Sequence, residues 1–306
     1  MAKITVIGSF VMDMVATMDK YPDAGESVIG TSIAFYPGGK GANQCVAIKR
    51  LGGNVEMIGM LGNDANGRVF RDVLDKEGIK SDYVFECDTP TAVAQIQINS
   101  SGQNRICVIP SANFVFSEEH VDKIDEIIKE SSLIVLQLEM VLPVIRKIIK
   151  RANAYNVKVL LNPAPAAALE NETLSMVDYI TPNETELSVL TGMSTSTDDE
   201  VIAAAKKLLN SGVGCVVATL GDRGALIVTD DYAEIIPGYK VNAVDTVAAG
   251  DSFNGAFAVA LTEGKSLRDA VKFANAMGAL TVLVKGAIPS MHTREEVEAF
   301  IRENEK

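Results

Sequence analysis

Histidine is almost missing from this chain of 306 residues: only His120 and His292 occur. His120 follows Ser-Glu-Glu at a polar helix start and His292 follows Ser-Met near the end, so neither sits in a nucleophile motif. This disfavours a Ser-His-Asp or Cys-His engine and leaves proton chemistry to carboxylates. Cysteine is scarce too. Cys45, Cys87, Cys107 and Cys215 form no Cys-x-x-Cys pair, which argues against zinc. Their mostly apolar neighbours predict buried, reduced thiols in a cytosolic protein. Positive charge is in deficit: 28 Lys and Arg against 40 Asp and Glu give a net charge of -12. Nucleic acid is an unsuitable partner for such a surface, and an anionic substrate needs a local positive field. No apolar run reaches the length of a membrane span, and the opening MAKITVIGSF is too short and strand-like for a signal peptide. A soluble cytoplasmic protein is expected. There is no linker, low-complexity tract or internal repeat, and the length suits one large α/β domain.

What is present is an alternation of strand and helix. Residues 4–10 read as a strand, 45–53 as a helix stopped by Gly52 and Gly53, 55–62 as a strand and 67–78 as a helix ended by Gly78. Residues 91–110 read as a hairpin around Ser-Ser-Gly-Gln. Helices are predicted at 118–132, 143–156, 184–192, 198–212 and 254–264, with strands at 133–139, 157–165, 176–183 and 215–221. The strands are near-continuous apolar runs, as in a parallel sheet covered on both faces. The hairpin and residues 11–36 break the alternation and suggest a small antiparallel lid. Sheets of this type bind ligands beyond the carboxyl ends of their strands. That rule singles out the junctions GSFVMD, QLEM, NPAP, TPNETE, TLGDRG and DTVAAGD.

Each junction has a bland and a functional reading. PGGKGANQ, residues 37–44, is neither a P-loop nor GxGxxG. It is a tight loop before a helix, or a backbone-lined binding turn in which Asn43 grips a hydroxyl. Asp13 is a turn residue or an acceptor for sugar hydroxyls. Asn183 and Glu186 have capping-box spacing, or stand near a magnesium shell with Glu186 acting through water. Thr219–Gly224 is a turn that, at a strand end, can host a nucleotide. DTVAAGD is the most informative. Ala248, Ala249 and Gly250 leave helix-start amides uncovered by bulky side chains, and Asp251 stands beside the anion site they form. Asp251 is then placed to take a proton from an attacking hydroxyl; the alternative is a carboxylate that merely complements the helix dipole.

Together GGKGANQ, NPAP, TPNETE, DTVAAGDSFNGAF and KGAIPS resemble, over essentially the whole chain, the ribokinase-like carbohydrate kinase family, and its ribokinase branch in particular. The resemblance implies a three-layer α/β/α fold with a mostly parallel sheet and a β lid formed by roughly 11–36 and 91–110. It implies transfer of the γ-phosphoryl of ATP to the terminal hydroxyl of a pentose, with Asp251 as general base and the amides of Ala248, Ala249 and Gly250 as anion hole. Val11, Met12, Asp13, Gly39, Lys40, Gly41, Ala42, Asn43 and Glu139 would surround the sugar. Asn183 and Glu186 would lie by the phosphates and Mg2+. Thr219, Leu220, Gly221, Asp222, Arg223, Gly224 and Asn275 would line the nucleotide site. Asp245, Val247, Thr281, Val284, Gly286 and Ser290 match a site for a K+-like monovalent cation, and the lid resembles a dimerising clasp, implying a homodimer. One position departs from the pattern: Val11 stands where an Asn is usual, which predicts tolerance of 2-deoxyribose. The rivals are a related kinase for adenosine or fructose, with Phe10 or Phe35 as base partner, and a non-catalytic sugar-binding regulator.

Overall fold

The structure is a computed structural model and describes residues 2–304. In chain order, β1 (Lys3–Ile7) leads to β2 (Val11–Thr17) and β3 (Ser32–Gly38), then α1 (Lys40–Arg50), β4 (Asn54–Gly62), α2 (Ala65–Glu77) and β5 (Val84–Cys87). The hairpin β6 (Val93–Ile98) and β7 (Asn104–Ile109) follows, then α3 (Glu118–Lys123), α4 (Asp125–Glu130), β8 (Leu133–Leu136), α5 (Leu142–Ala154), β9 (Lys158–Leu161) and α6 (Asn171–Leu174). The second half continues with β10 (Tyr179–Ile180), α7 (Glu184–Thr191), α8 (Asp198–Leu209), β11 (Cys215–Thr219), β12 (Ala225–Val228) and β13 (Ala233–Ile236), and closes with α9 (Ala249–Thr262), α10 (Leu267–Thr281) and α11 (Arg294–Asn304).

Nine strands form the main sheet in the order β13-β12-β11-β10-β9-β8-β1-β4-β5. All neighbours are parallel except β11–β12 and β12–β13. Alternation along β1 shows why both faces are covered: Ile4 and Val6 enter one core with α1, α9 and α10, and Ile7 enters the other with α4, α5 and α8. A second sheet, β3-β2-β6-β7, carries its own small core of Val11, Ala92 and Ala94; it is mixed rather than antiparallel throughout as expected, because its two hairpins join through a parallel β2–β6 pair. The fold is the expected three-layer α/β/α architecture, a mostly parallel sheet between two helical layers, with a small additional sheet.

Several boundaries differ from the sequence reading for physical reasons. The first strand ends at Ile7; Gly8 N still donates to Ile58 O of β4 (3.0 Å), but Ser9 and Phe10 leave the main sheet and Val11 opens the second. The segment 118–132 breaks at the buried Ile124, whose backbone (φ -107°, ψ 11°) ends α3 and starts α4. The strand expected over 176–183 shrinks to Tyr179–Ile180. β5 and β13 are short edge strands without a strong apolar run and were not expected. Cys45 and Cys215 are buried as expected, but Cys107 is exposed, because β7 is an edge of the small sheet. Burial pushes the Cys215 thiol up to about 12, which keeps it protonated and inert.

The most consequential shifts are at two helix starts. α1 begins at Lys40 rather than Cys45, and α9 at Ala249 rather than Asn254. Asn43 and Asp251 therefore lie in first helical turns, with Gln44 the next residue of α1. The two helices can approach closely because Gly255 has no side chain: a Cβ there would stand 2.6 Å from Ala47 Cβ and 3.1 Å from Gln44 O.

Candidate active site

The carboxyl ends of β1, β8, β9, β10 and β11 converge on the starts of α1 and α9, and at that junction lies Asp251, 7% exposed. Asn43 Nδ2 donates to its Oδ2 (2.9 Å) and Gln44 Nε2 to its Oδ1 (3.0 Å). Both donors come from α1, so the packing of α1 on α9 fixes the carboxylate. Asn43 Oδ1 is buried without a partner among the described residues, an acceptor held ready for a ligand donor.

The glycine turn is built by close contact. Gly39 has φ 88° and is the N-cap of α1; a Cβ there would lie 2.6 Å from Val11 N. At Gly41 a Cβ would lie 2.5 Å from Ser9 N. Ala42 N donates to Ser9 O (3.0 Å), tying α1 to the end of β1. Glu139, beyond β8, accepts from the Ser9 hydroxyl and from Lys40 N (3.0 Å). Val11 and Met12 are buried at the start of β2, and Asp13 follows two residues after Val11 on the same face.

Electrostatics bind these groups into one cluster. Burial first, and then the charges of Glu139 and Asp251, raise the Asp13 carboxyl to about 6, against the opposing pull of Lys40. Burial draws the Lys40 ammonium down, but Asp251, Glu139, Glu186 and Asp13 together outweigh it and hold its pKa above the usual value. Glu186 is held up by burial, with the Asn183 N–H, Lys40 and Asp251 as smaller influences. Lys40 is thus the positive centre that the net acidity of the chain made necessary. Asp13, expected from the sequence to accept hydrogen bonds from a sugar, serves that role best in its ionised form. The kcat/KM for sugar is expected to fall about tenfold per pH unit below about 6. Asp13→Asn, which cannot titrate, should abolish that inflection; a pH–rate profile of the variant that keeps it would assign the ionisation elsewhere.

The start of α9 shows the features of an anion site. Its N-cap, Ala248, takes a left-handed conformation at φ 60°, a strained choice for a residue with a Cβ. Ala249 N–H donates to Thr246 O (3.3 Å), whereas those of Ala248 and Gly250 meet no backbone carbonyl among the described residues. Gly250 has nothing within 4 Å of its missing side chain. Ala249 and Gly250 line a cleft of about 460 Å³. Asn183, Thr219, Gly221, Asp222, Gly224 and Asn275 line it, as does Ala249. Asn275 Nδ2 is also bound to Ile236 O (3.1 Å). Leu220 is buried behind the wall, and Arg223 pairs with Glu184 and Asp198. Asn183 and Glu186 form a reciprocal capping box at the start of α7, each bond 2.8 Å. Sequence reasoning missed Gln44 and much of the opposite wall, notably Tyr239, Val241, Phe253 and Val282.

Asp245 ties two loops together: Oδ1 accepts from Val247 N (3.0 Å) and Oδ2 from Gly286 N (2.9 Å). Thr281 and Ser290 are buried, their hydroxyls bound to Met277 O (2.9 Å) and Ala287 O (2.7 Å); Val284 N donates to Thr281 O (3.2 Å). The two aromatics considered for an adenine do not face the cluster. Phe10 is fully buried against Phe70, and Phe35 lies opposite Met14, on the other face of the small sheet from Asp13.

A buried carboxylate at a helix start, a nucleotide-sized cleft and a small second sheet fit a phosphotransferase with an alcohol acceptor. Residues 1–294 match the pfkB family of carbohydrate kinases, and the chain belongs to that family. Among its relatives is the ribokinase of Haemophilus influenzae, 38% identical over 97% of this chain and 98% of its own. The deoxyribokinase of Salmonella typhi is 37% identical, covering 99% of both chains. The structure of Arabidopsis thaliana ribokinase complexed with ribose and ATP superimposes with a TM-score of 0.94, at 34% identity over 98% of this chain and 99% of that one.

Proposed function

We propose that this chain transfers the γ-phosphoryl of ATP to the 5-hydroxyl of D-ribose, with 2-deoxyribose as a further acceptor. The carrying observation is Asp251, buried between two amide donors at a helix start whose neighbouring residues Ala249 and Gly250 line the cleft. Asp251 takes the hydroxyl proton as the new O–P bond forms and the bond to the β-phosphate oxygen breaks. Ala248, Ala249 and Gly250 meet the developing charge, and Lys40 supplies the local positive field. Asp13, the Gly39–Asn43 turn and Glu139 hold the sugar, and the cleft from Thr219 to Asn275 holds the nucleotide. The relative bound to ribose and ATP supports this division. The second sheet acts as a lid on one kinase domain.

Two metals suit the residues present. One Glu186 oxygen accepts from Asn183 N–H, leaving the other for a metal-bound water, so Glu186 and Asn183 would serve Mg2+, which neutralises phosphate charge. Asp245 with the carbonyls of Val247, Thr281, Val284 and Gly286 and the hydroxyl of Ser290 is a hard oxygen set with one charge, suited to K+. That ion would steady the loop carrying the anion hole. Ile33, Phe35, Ile106 and Val108 stand 52–60% exposed on the small sheet, which supports a homodimer through the lid. The acidic net charge and the reduced thiols support a cytoplasmic location.

Val11 favours the second acceptor. It is 3% exposed, shares a face with Asp13 and offers no side-chain donor or acceptor. A missing 2-hydroxyl then leaves no buried polar group unpaired. An ADP-release assay across ribose, 2-deoxyribose, adenosine and fructose tests both readings. The two pentoses are expected within about tenfold of each other in kcat/KM, and Val11→Asn should favour ribose. Strong wild-type preference for ribose would remove the deoxyribose reading. Turnover with adenosine or fructose alone would remove the pentose reading.

A further inference from the structure

Behind Asp251, on the side away from the cleft, lies a closed ring of buried polar side chains. Gln44 Nε2 donates both to Asp251 Oδ1 (3.0 Å) and to Asn162 Oδ1 (3.1 Å), and Gln44 Oε1 accepts from Gln137 Nε2 (2.7 Å). Asn162 Nδ2 donates to Thr181 O (3.1 Å), Thr181 Oγ1 to Asn254 Oδ1 (2.5 Å), and Asn254 Nδ2 to Gly250 O (2.8 Å). The ring thus returns to the helical turn that carries Asp251. Gln137, Asn162 and Thr181 are each the first residue beyond β8, β9 and β10. Gln44, Gln137, Thr181 and Asn254 are at most 1% exposed, and Asn162 is 7% exposed. Gln137 is wedged in place: a Cβ on Gly8 would fall 2.1 Å from its Oε1.

We propose that Gln44 is the positioning residue for Asp251, resting on the reading of Asp251 as the base. Fully buried, Gln44 has no access to either substrate. Its amide is held from behind by two strand ends, so its second N–H is aimed at a fixed point. That N–H fixes one carboxylate oxygen while Asn43 fixes the other, and the carboxylate plane is set before a sugar arrives. Asn43, with an unpartnered Oδ1, has a ligand-facing role in addition; Gln44 has none. The polar ring costs buried amides that an apolar core would avoid, which fits a role in setting orientation.

The test is kinetic. Gln44→Met keeps the volume and removes the donors. It is expected to lower kcat about 10–100-fold, with KM for sugar and ATP within about threefold of wild type. The isosteric Gln44→Glu places a second carboxylate against Asp251 Oδ1. Like charges at that distance cannot both ionise freely, so the pH profile of kcat should gain an ionisation above the wild-type acid limb. The other charged groups around Asp251 (Lys40, Asp13, Glu139 and Glu186) are unchanged in both variants and provide the common background. Thermal melts establish the folded fraction, and should Gln44→Met fail to fold, Gln44→Glu decides. Wild-type kcat and an unaltered pH profile in the folded variants would overturn the assignment, as would a raised KM with kcat retained. Failure of the wild-type chain itself to release ADP would instead reject the kinase reading.

Discussion

Asp251→Asn is expected to lower kcat by about 10³-fold while leaving the chain folded and nucleotide affinity within a few-fold of wild type. The side chain keeps its size, and the α1–α9 contact at Gly255 is untouched. Two things are lost. The proposed acceptor of the hydroxyl proton is gone, and one of its two oxygens becomes an NH2. Asn43 Nδ2 and Gln44 Nε2 both donate to the carboxylate, so in the present arrangement either orientation of the new amide sets a donor against a donor unless the Asn43 amide turns over. Modest destabilisation should accompany the kinetic loss, because the site is buried. Steady-state kinetics with a parallel nucleotide titration checks this. A variant with near-normal kcat would remove Asp251 from the role of base.

Gly250→Ala is expected to separate stability from activity. A methyl group there meets no protein atom within 4 Å, and the residue sits in the first turn of α9. Replacing glycine by alanine in a helix stabilises by about 0.5–1 kcal/mol. The melting temperature should therefore hold or rise slightly. The same methyl projects into the cleft beside the Gly250 amide, where an anion must approach, and kcat/KM should fall by about 10²-fold. Gly39→Ala provides the contrast. Its new Cβ would strike Val11 N at 2.6 Å with φ at 88°, so folding and activity should be lost together. Equal activity in wild type and Gly250→Ala would show that this amide does not meet a phosphate.

DTVAAGD and GGKGAN carried their message in short windows. A carboxylate, uncovered amides and glycines stand within a turn of one another, and local chemistry is legible locally. Gln44 belonged to the same quoted stretch and was passed over. In sequence it is one polar residue at the head of an apolar helix, and its partners Gln137 and Asn162 lie 93 and 118 positions away. Only the order of parallel strands brings those ends together. The far wall of the cleft, from Gly238 to Thr246, is irregular chain without periodicity and gives no comparable signal. The alternation of the body predicted the parallel sheet, because strands buried on both faces must be apolar throughout. β5 and β13 at its margins escaped that rule, being less completely covered.

The short passage Gly8–Phe10 gives the small sheet a mechanical meaning. It is the direct link from the fixed body to β2, and Asn113 clasps it by donating to Phe10 O and accepting from Phe10 N. Val11 and Asp13 ride on the far side of this link, whereas Asp251 rides on α9. Asp13 and Asp251 are thus carried by separate elements, one on the small sheet and one on the body. The span between these two carboxylates is therefore set by how the small sheet docks on the body through three residues, of which Ser9 and Phe10 are fully buried.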